Sequence, residues 1–90
     1  TTPETAKAAL EALIPALEAL GEEDWTVEKI HAACFELIAK MEVKNGWMLW
    51  PMRIALSGMQ FTPGGGIEIA AILGREEALA RLRAGLAELA

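Results

Sequence analysis

The spacing of the apolar residues is the feature that most limits how this chain can fold. Leucine and isoleucine recur at helical spacing near both ends of the chain, at Leu10, Leu13, Ile14, Leu17 and Leu20 and at Leu79, Leu82, Leu86 and Leu89. Such spacing places the apolar side chains on one face of an α-helix. Because no two segments alternate as paired strands do, the sequence predicts an all-α fold, a compact bundle of about five helices.

The first helix carries its own start and stop signals. Thr2 is suited to cap a helix that begins at Pro3, where the missing N–H does no harm, and Gly21 is suited to end it. Pro15 interrupts the apolar pattern and removes one backbone hydrogen bond. We therefore expect a kink or a break just before Pro15.

The second helix is expected to begin after Thr26, where Trp25 can pack on Ile30 as a hydrophobic staple. It should stop before Asn45-Gly46, a dipeptide typical of turns. Residues 47–50 show neither a helical nor a strand period, so this segment is interpreted as irregular.

Shorter helices are predicted behind these two. Gly58 and Gly74 are suited to end helices, and Glu77 and Arg81 form an i, i+4 pair of opposite charge. The predicted helices run from Pro51 to about Ser57, from Ile67 to Leu73 and from Arg75 to about Leu89.

Composition narrows the class of protein. The chain has 90 residues, which suits one domain over residues 1–90, and 53% of them are apolar, enough for a core without disulfides. A single cysteine excludes an internal disulfide framework and favours a reducing compartment. No apolar run reaches the roughly 20 residues that span a bilayer. We expect a cytoplasmic protein with no membrane partner.

The net charge of −5 hides an asymmetry. Residues 1–28 hold seven acids and one base, a formal charge of −6, whereas residues 29–90 hold six acids and seven bases, for +1. Phosphate contacts depend on lysine and arginine, so only the second part is suited to nucleic acid. The acidic first helix is expected to face away from RNA.

Two groups of polar residues have weak claims to chemistry. His31 and Cys34 are spaced i, i+3 on a helix, but a structural metal site needs four ligands and a nucleophile needs an oriented base. A core cysteine beside a surface histidine is the simpler interpretation. The acidic residues 22–24 lack the spacing of a calcium loop and suit a solvated turn. We therefore expect no catalytic or metal-binding residue.

The segment Thr62-Pro63-Gly64-Gly65-Gly66 opens a predicted helix. Its glycines allow close approach of the backbone to a phosphate or a base edge. It lacks the Lys-Ser/Thr of a phosphate-binding loop and the preceding strand of a dinucleotide site. A flexible connection between helices remains the alternative.

A basic and aromatic window precedes and includes this segment. Residues 37–67 hold Lys40, Lys44 and Arg53 against one acid, together with Trp47, Trp50 and Phe61. Single-stranded RNA sites combine cations for phosphate with flat groups that stack on bases. Tryptophans in a core and an arginine that caps a helix would account for the same composition.

Several short motifs occur in a fixed order: Lys44-x-Gly46, Pro51-x-Arg53-x-Ala55-Leu56-x-Gly58, Thr62-Pro63-Gly64-Gly65, Glu68-Ile69, Ile72-Leu73-Gly74-Arg75-Glu76 and Arg81-Leu82. In this order they resemble the C-terminal end of bacterial glutamyl-tRNA synthetases. Members of that family have a Lys-x-Gly turn, a Pro-Leu-Arg-x-Ala-Leu-Thr-Gly helix, a Ser/Thr-Pro-Gly loop and a Glu-Ile…Leu-Gly-Lys/Arg-Glu stretch. The resemblance covers about residues 25–85.

The resemblance implies the terminal, all-α anticodon-binding subdomain of a class I aminoacyl-tRNA synthetase. The parent enzyme would join glutamate to tRNA(Glu) using ATP and Mg²⁺, whereas this domain would hold no cofactor. Neither a His-x-Gly-His nor a Lys-Met-Ser-Lys sequence, the signatures of the catalytic domain, is present. The implied partners are the anticodon loop and the rest of the synthetase, in a monomer.

The resemblance also implies which residues contact RNA. Arg53 matches an arginine that reaches an anticodon base, and the loop residues that match or extend the contact are Thr62, Pro63, Gly64, Gly65, Gly66 and Ile67. Lys44 is added as a candidate contact to the phosphate backbone. Where many members have Leu-Phe before the Glu-Ile pair, this chain has Gly66-Ile67 and a loop that is one residue longer.

A different class of function competes with this one. A small helical domain with surplus apolar surface can serve as a protein interaction module. Finding residues 44–67 packed inside the domain would favour that alternative.

Overall fold

The computed structural model describes residues 2–58 and 65–89. These residues form five α-helices and no strand, which confirms the predicted all-α fold. The helices are α1 (Pro3–Glu18), α2 (Val27–Met41), α3 (Asn45–Ser57), α4 (Gly66–Leu73) and α5 (Arg75–Leu89), and a 3-10 turn, Glu22–Asp24, joins α1 to α2. None of these helices has the length and apolar character needed to cross a membrane.

The first helix begins as predicted but does not break. The Thr2 side chain accepts from the Thr5 backbone at 3.2 Å, and the Thr5 side chain in turn accepts from the Thr2 backbone at 3.0 Å. The helix continues through Pro15, so the expected break is wrong. Pro15 and Glu11, whose carbonyl loses its partner, are both exposed, and water can satisfy that carbonyl.

The second helix ends at Met41, four residues before the turn dipeptide Asn45-Gly46. Its start is confirmed by Thr26, whose hydroxyl accepts from the Lys29 backbone at 3.2 Å. Its end is set by Glu42, which adopts a left-handed conformation with φ 56°. The chain therefore reverses before Asn45-Gly46, and this dipeptide becomes the first turn of α3.

The predicted irregular segment 47–50 is wrong, because α3 runs from Asn45 through Pro51 to Ser57. Met48, Met52 and Leu56, each four residues after the last, are buried, and Pro51 is buried among them. Burial of such side chains contributes about 1.5–3 kcal/mol each, which offsets the one backbone bond lost at Pro51.

The apolar stripes predicted for the first and last helices form the core. Leu10, Leu13, Ile14, Leu17, Leu79 and Leu82 are buried, and Leu20, Leu86 and Leu89 pack against them partly buried.

Two close contacts hold α4 and α5 against the other helices. The Trp25 indole N–H donates to the Ala70 carbonyl at 2.8 Å and joins the start of α2 to α4. A Cβ at Gly85 would lie 2.9 Å from the Ala55 Cβ, so α5 and α3 touch where only glycine fits.

Arginines of α5 fasten the end of α1; we call this contact the α1–α5 junction (Glu18, Leu20, Arg75 and Arg83). Arg75 donates through Nε to the Leu20 carbonyl at 2.7 Å and through Nη2 to the Glu18 carbonyl at 2.9 Å. Arg83 forms an ion pair with the Glu18 carboxylate. Cations at the C-terminal end of a helix meet its unpaired carbonyls and its partial negative charge.

Candidate nucleic-acid interface

Arg53 projects from the middle of α3 and is only partly buried. Its guanidinium carbon lies 5.5 Å from the ring centroid of Trp50, one helical turn earlier, which is a cation–π contact. Its Nε is buried and has no acceptor among the residues that the structure describes. A molecule outside the domain can therefore reach this guanidinium only at its terminal nitrogens.

The start of α4 lies directly against the backbone of Arg53. Gly66 is buried, and a Cβ at this position would lie 3.3 Å from the Arg53 backbone nitrogen and 3.2 Å from the Met52 Cγ. The absence of a side chain lets the two helices approach this closely. The structure thus brings together two groups of predicted site residues, Arg53 and the glycines; we call this place the α3–α4 corner (Trp50, Arg53, Gly65 and Gly66).

A carboxylate already lies over the first turn of α4. Gly65 is the N-cap and supplies no side-chain hydrogen bond. A Cβ there would lie 3.1 Å from an oxygen of Glu68, so this exposed carboxylate turns back toward Gly65. A negative group at a helix N-terminus is favourable to the helix, and it competes with a phosphate for the same donors. The Glu68 carboxylate therefore covers the side of the α4 start at Gly65.

The remaining loop residues divide into two groups. Thr62, Pro63 and Gly64 lie outside the described residues, so their predicted anticodon contacts stay predictions. Ile67 is only 7% exposed and belongs to the core. Its side chain supports the start of α4 from within, which the sequence pattern did not indicate.

Lys44 lies away from the corner. It is the exposed N-cap residue of α3, nine positions before Arg53, a separation of roughly 13 Å along the helix axis. Together with Thr5 and Trp47 it lines a separate depression beside the start of α1. The structure therefore does not join Lys44 to Arg53 in one cluster.

The described part of residues 44–67 contains both buried and exposed side chains. Met48, Met52 and Leu56 belong to the core, whereas Lys44 and Gly46 are exposed. The buried side chains lie on the face of α3 that packs on the bundle. This mixture does not meet the condition that would favour an interaction module.

The acidic turn lies at the other end of α4. Glu22 lines a depression with Leu73, Gly74 and Arg75, at the end of α4 and the start of α5. Arg53 lies beside Gly66 at the start of α4. Eight helical residues, roughly 12 Å, separate these ends, which exceeds the screening length of about 8 Å at physiological salt. The acidic turn therefore repels a phosphate at the α3–α4 corner only weakly.

The described residues include no group of three or more acidic, histidine or cysteine side chains that could hold a metal ion. His31 stacks on Phe35 with ring centroids 4.2 Å apart. Cys34 is fully buried, and burial raises the pKa of its thiol to about 12. At neutral pH this thiol keeps its proton, as is typical of a cysteine that packs in a core.

The sequence of this chain is similar to those of known proteins. A family described as "Anticodon binding domain" matches residues 1–86. The chain therefore belongs to the family of anticodon-binding domains. It is 53% identical over 89 residues to a glutamate–tRNA ligase of Clostridium botulinum (strain Hall), and 48% and 47% identical over 89 residues to those of Clostridium tetani (strain Massachusetts / E88) and Clostridium novyi (strain NT). Each alignment covers 99% of this chain and 18% of the relative.

Proposed function

We propose that this chain binds the anticodon loop of tRNA(Glu) as one domain of a glutamate–tRNA ligase. Its family membership and its similarity to proteins of that name support the proposal. Since the chain spans only 18% of those relatives, we assign the joining of glutamate to tRNA, with its ATP and Mg²⁺, to the rest of such an enzyme. We place that enzyme in the cytoplasm and treat it as a monomer.

One observation supports the proposal within this chain. At the α3–α4 corner, the partly exposed Arg53 lies beside the glycines that begin α4. Arginine can both stack on an unpaired base and donate two hydrogen bonds to its edge. The predicted contacts Thr62, Pro63 and Gly64 precede Gly65 directly in the sequence. We propose that these residues and Arg53 meet the anticodon bases, and that Lys44 meets a phosphate further along the strand.

The test is a titration of the 90-residue chain with an RNA hairpin that carries the glutamate anticodon, at one fixed salt concentration. Calorimetry gives the affinity, and backbone NMR shifts locate the contact. We expect the largest shifts at Arg53 and around Gly65. Shifts confined to α1 and α5, or none at millimolar RNA, would contradict the proposal.

Substitutions make the test specific. Arg53→Ala should weaken binding by about 1–3 kcal/mol, roughly 5- to 150-fold. Arg53→Lys should recover little of it, because lysine lacks the flat fork of guanidinium donors. Arg83→Ala is the matched control, since it removes the same charge from the α1–α5 junction. A hairpin with an unrelated anticodon should bind the wild type as weakly as the glutamate hairpin binds Arg53→Ala.

A further inference from the structure

We propose that Trp50 is a positioning residue that holds the Arg53 guanidinium ready for RNA and does not itself stack on a base. The inference rests on the proposed function, because it concerns how Arg53 meets the anticodon. It arises from three observations on described residues: the cation–π contact of Trp50, the buried Nε of Arg53 and the close approach of α4.

The first step concerns the side-chain freedom of Arg53. An arginine on a helix surface samples many rotamers and loses that freedom when it binds a ligand. Here the guanidinium carbon already lies 5.5 Å from the Trp50 ring centroid. Since the two residues are spaced i, i+3 on α3, the helix itself holds the ring beside the arginine.

The second step concerns the direction in which the guanidinium points. Its Nε is buried without an acceptor among the described residues, so the inner part of the group faces protein. Trp50 covers one face, and Gly66 packs against the Arg53 backbone from α4. The terminal nitrogens are the part left to meet a base. Holding them in place before binding lowers the entropic cost of the contact.

The third step concerns the energy of the unbound state. A buried charged donor without a partner is unfavourable, and contact with the negative face of an indole ring offsets part of that cost. Trp50 thus stabilises an arrangement of Arg53 that the protein would otherwise avoid. Leucine at position 50 would fill space but offer no such face.

The test is a double-mutant cycle on RNA binding. Trp50→Leu should weaken binding of the glutamate anticodon hairpin by about three- to tenfold. Trp50→Phe should recover most of the loss, because phenylalanine keeps an aromatic face. In the Arg53→Ala background, Trp50→Leu should weaken binding by less than about twofold, since no guanidinium remains to be positioned.

A second readout separates positioning from folding. The Arg53 Nε–H should give a resolved NMR signal that is protected from exchange and shifted by the Trp50 ring current. Trp50→Leu should remove both effects while urea denaturation shows a folded domain. Trp47→Leu makes the same change in a partly buried tryptophan one turn earlier in α3, and it should leave the Arg53 signal unchanged.

Other outcomes would overturn the inference. Equal losses from Trp50→Leu in the wild-type and Arg53→Ala backgrounds would show that Trp50 contacts RNA itself. An Arg53 signal unaltered by Trp50→Leu would show that the ring does not hold the guanidinium. If Arg53→Ala alone left binding unchanged, the proposed anticodon contact of Arg53 would be wrong, and the NMR result would still decide whether Trp50 holds its side chain.

Discussion

Two arginines of this domain are buried to a similar degree but differ in whether their guanidinium groups have hydrogen-bond acceptors. Arg75, at the α1–α5 junction, is partly buried and donates to two backbone carbonyls at 2.7 and 2.9 Å. Arg53, at the α3–α4 corner, is also partly buried, yet its Nε meets no acceptor among the described residues. Arg75 thus joins two parts of the fold, whereas the contact that the structure shows for the Arg53 guanidinium is with the Trp50 ring.

The contrast extends to the two glycines that let helices touch α3. Gly85 of α5 meets the Ala55 Cβ, a group that cannot move without the backbone. Gly66 of α4 meets the Met52 side chain, which can adjust, and the Arg53 backbone nitrogen, which cannot. We therefore expect the contact between α3 and α5 to tolerate an added methyl group less well than the contact between α3 and α4.

The largest effect on stability is expected from Gly85→Ala. The new Cβ would lie 2.9 Å from the Ala55 Cβ, closer than carbon atoms pack, so α5 must shift away from α3. Such overpacking costs about 1–3 kcal/mol, measured as a lower urea midpoint with unchanged slope.

A compensating variant checks the cause of that loss. Ala55→Gly alone should cost about 1 kcal/mol through helix propensity. Combined with Gly85→Ala it should return most of the stability, because the clashing methyl group is gone. Strictly additive losses would show that the contact between α3 and α5 is not the reason.

Replacing each arginine tests directly whether Arg75 and Arg53 differ in their contribution to stability. Arg75→Met should lower the free energy of unfolding by about 2 kcal/mol, because two charge-assisted hydrogen bonds to the end of α1 are lost. Arg53→Met should leave it unchanged or higher, since removal of an unpaired buried donor offsets the lost cation–π contact. Urea denaturation of both variants measures the difference. Equal losses would mean that Arg53 is as structural as Arg75.

A smaller effect is expected from Gly66→Ala. The added methyl group would lie 3.3 Å from the Arg53 backbone nitrogen, so the start of α4 must move by a few tenths of an ångström. We expect a loss of about 1 kcal/mol together with weaker RNA binding. Gly46→Ala is the control, because nothing lies within 4 Å of its new Cβ. It should be neutral or slightly stabilising in the first turn of α3, and the prediction fails if the two variants behave alike.

Most of the fold could be predicted because its signals are local. The caps at Thr2 and Thr26 and the stop at Gly74 depend on the residues beside them. The start of α3 has no comparable cap, because no side chain caps its first turn and burial of apolar side chains maintains it. Burial of Met48 and Met52 maintains the helix across Pro51, and the chain turns at Glu42, which is left-handed, and not at Asn45-Gly46.

The same error hid part of the candidate site. Composition and the resemblance indicated Arg53, Lys44 and the glycines, and packing of α4 on α3 places two of these together. A helix that began at Pro51 would leave Trp50 outside it, so the i, i+3 pairing with Arg53 could not be inferred. A sequence signal was available in Met48, Met52 and Leu56, whose spacing of four predicts one helix across the proline.

The smallest effect is expected at the outer edge of the α1–α5 junction. The side chains of Arg83 and Glu18 form an ion pair but are 54% and 40% exposed, so water and salt screen their attraction. Arg83→Ala should cost less than about 1 kcal/mol, and the loss should shrink further in 1 M salt. Arg75→Met should keep most of its cost in the same salt, because hydrogen bonds to backbone carbonyls depend less on long-range charge. A loss at Arg83 that equals the loss at Arg75 and resists salt would show that the ion pair, and not the carbonyl contacts, joins α1 to α5.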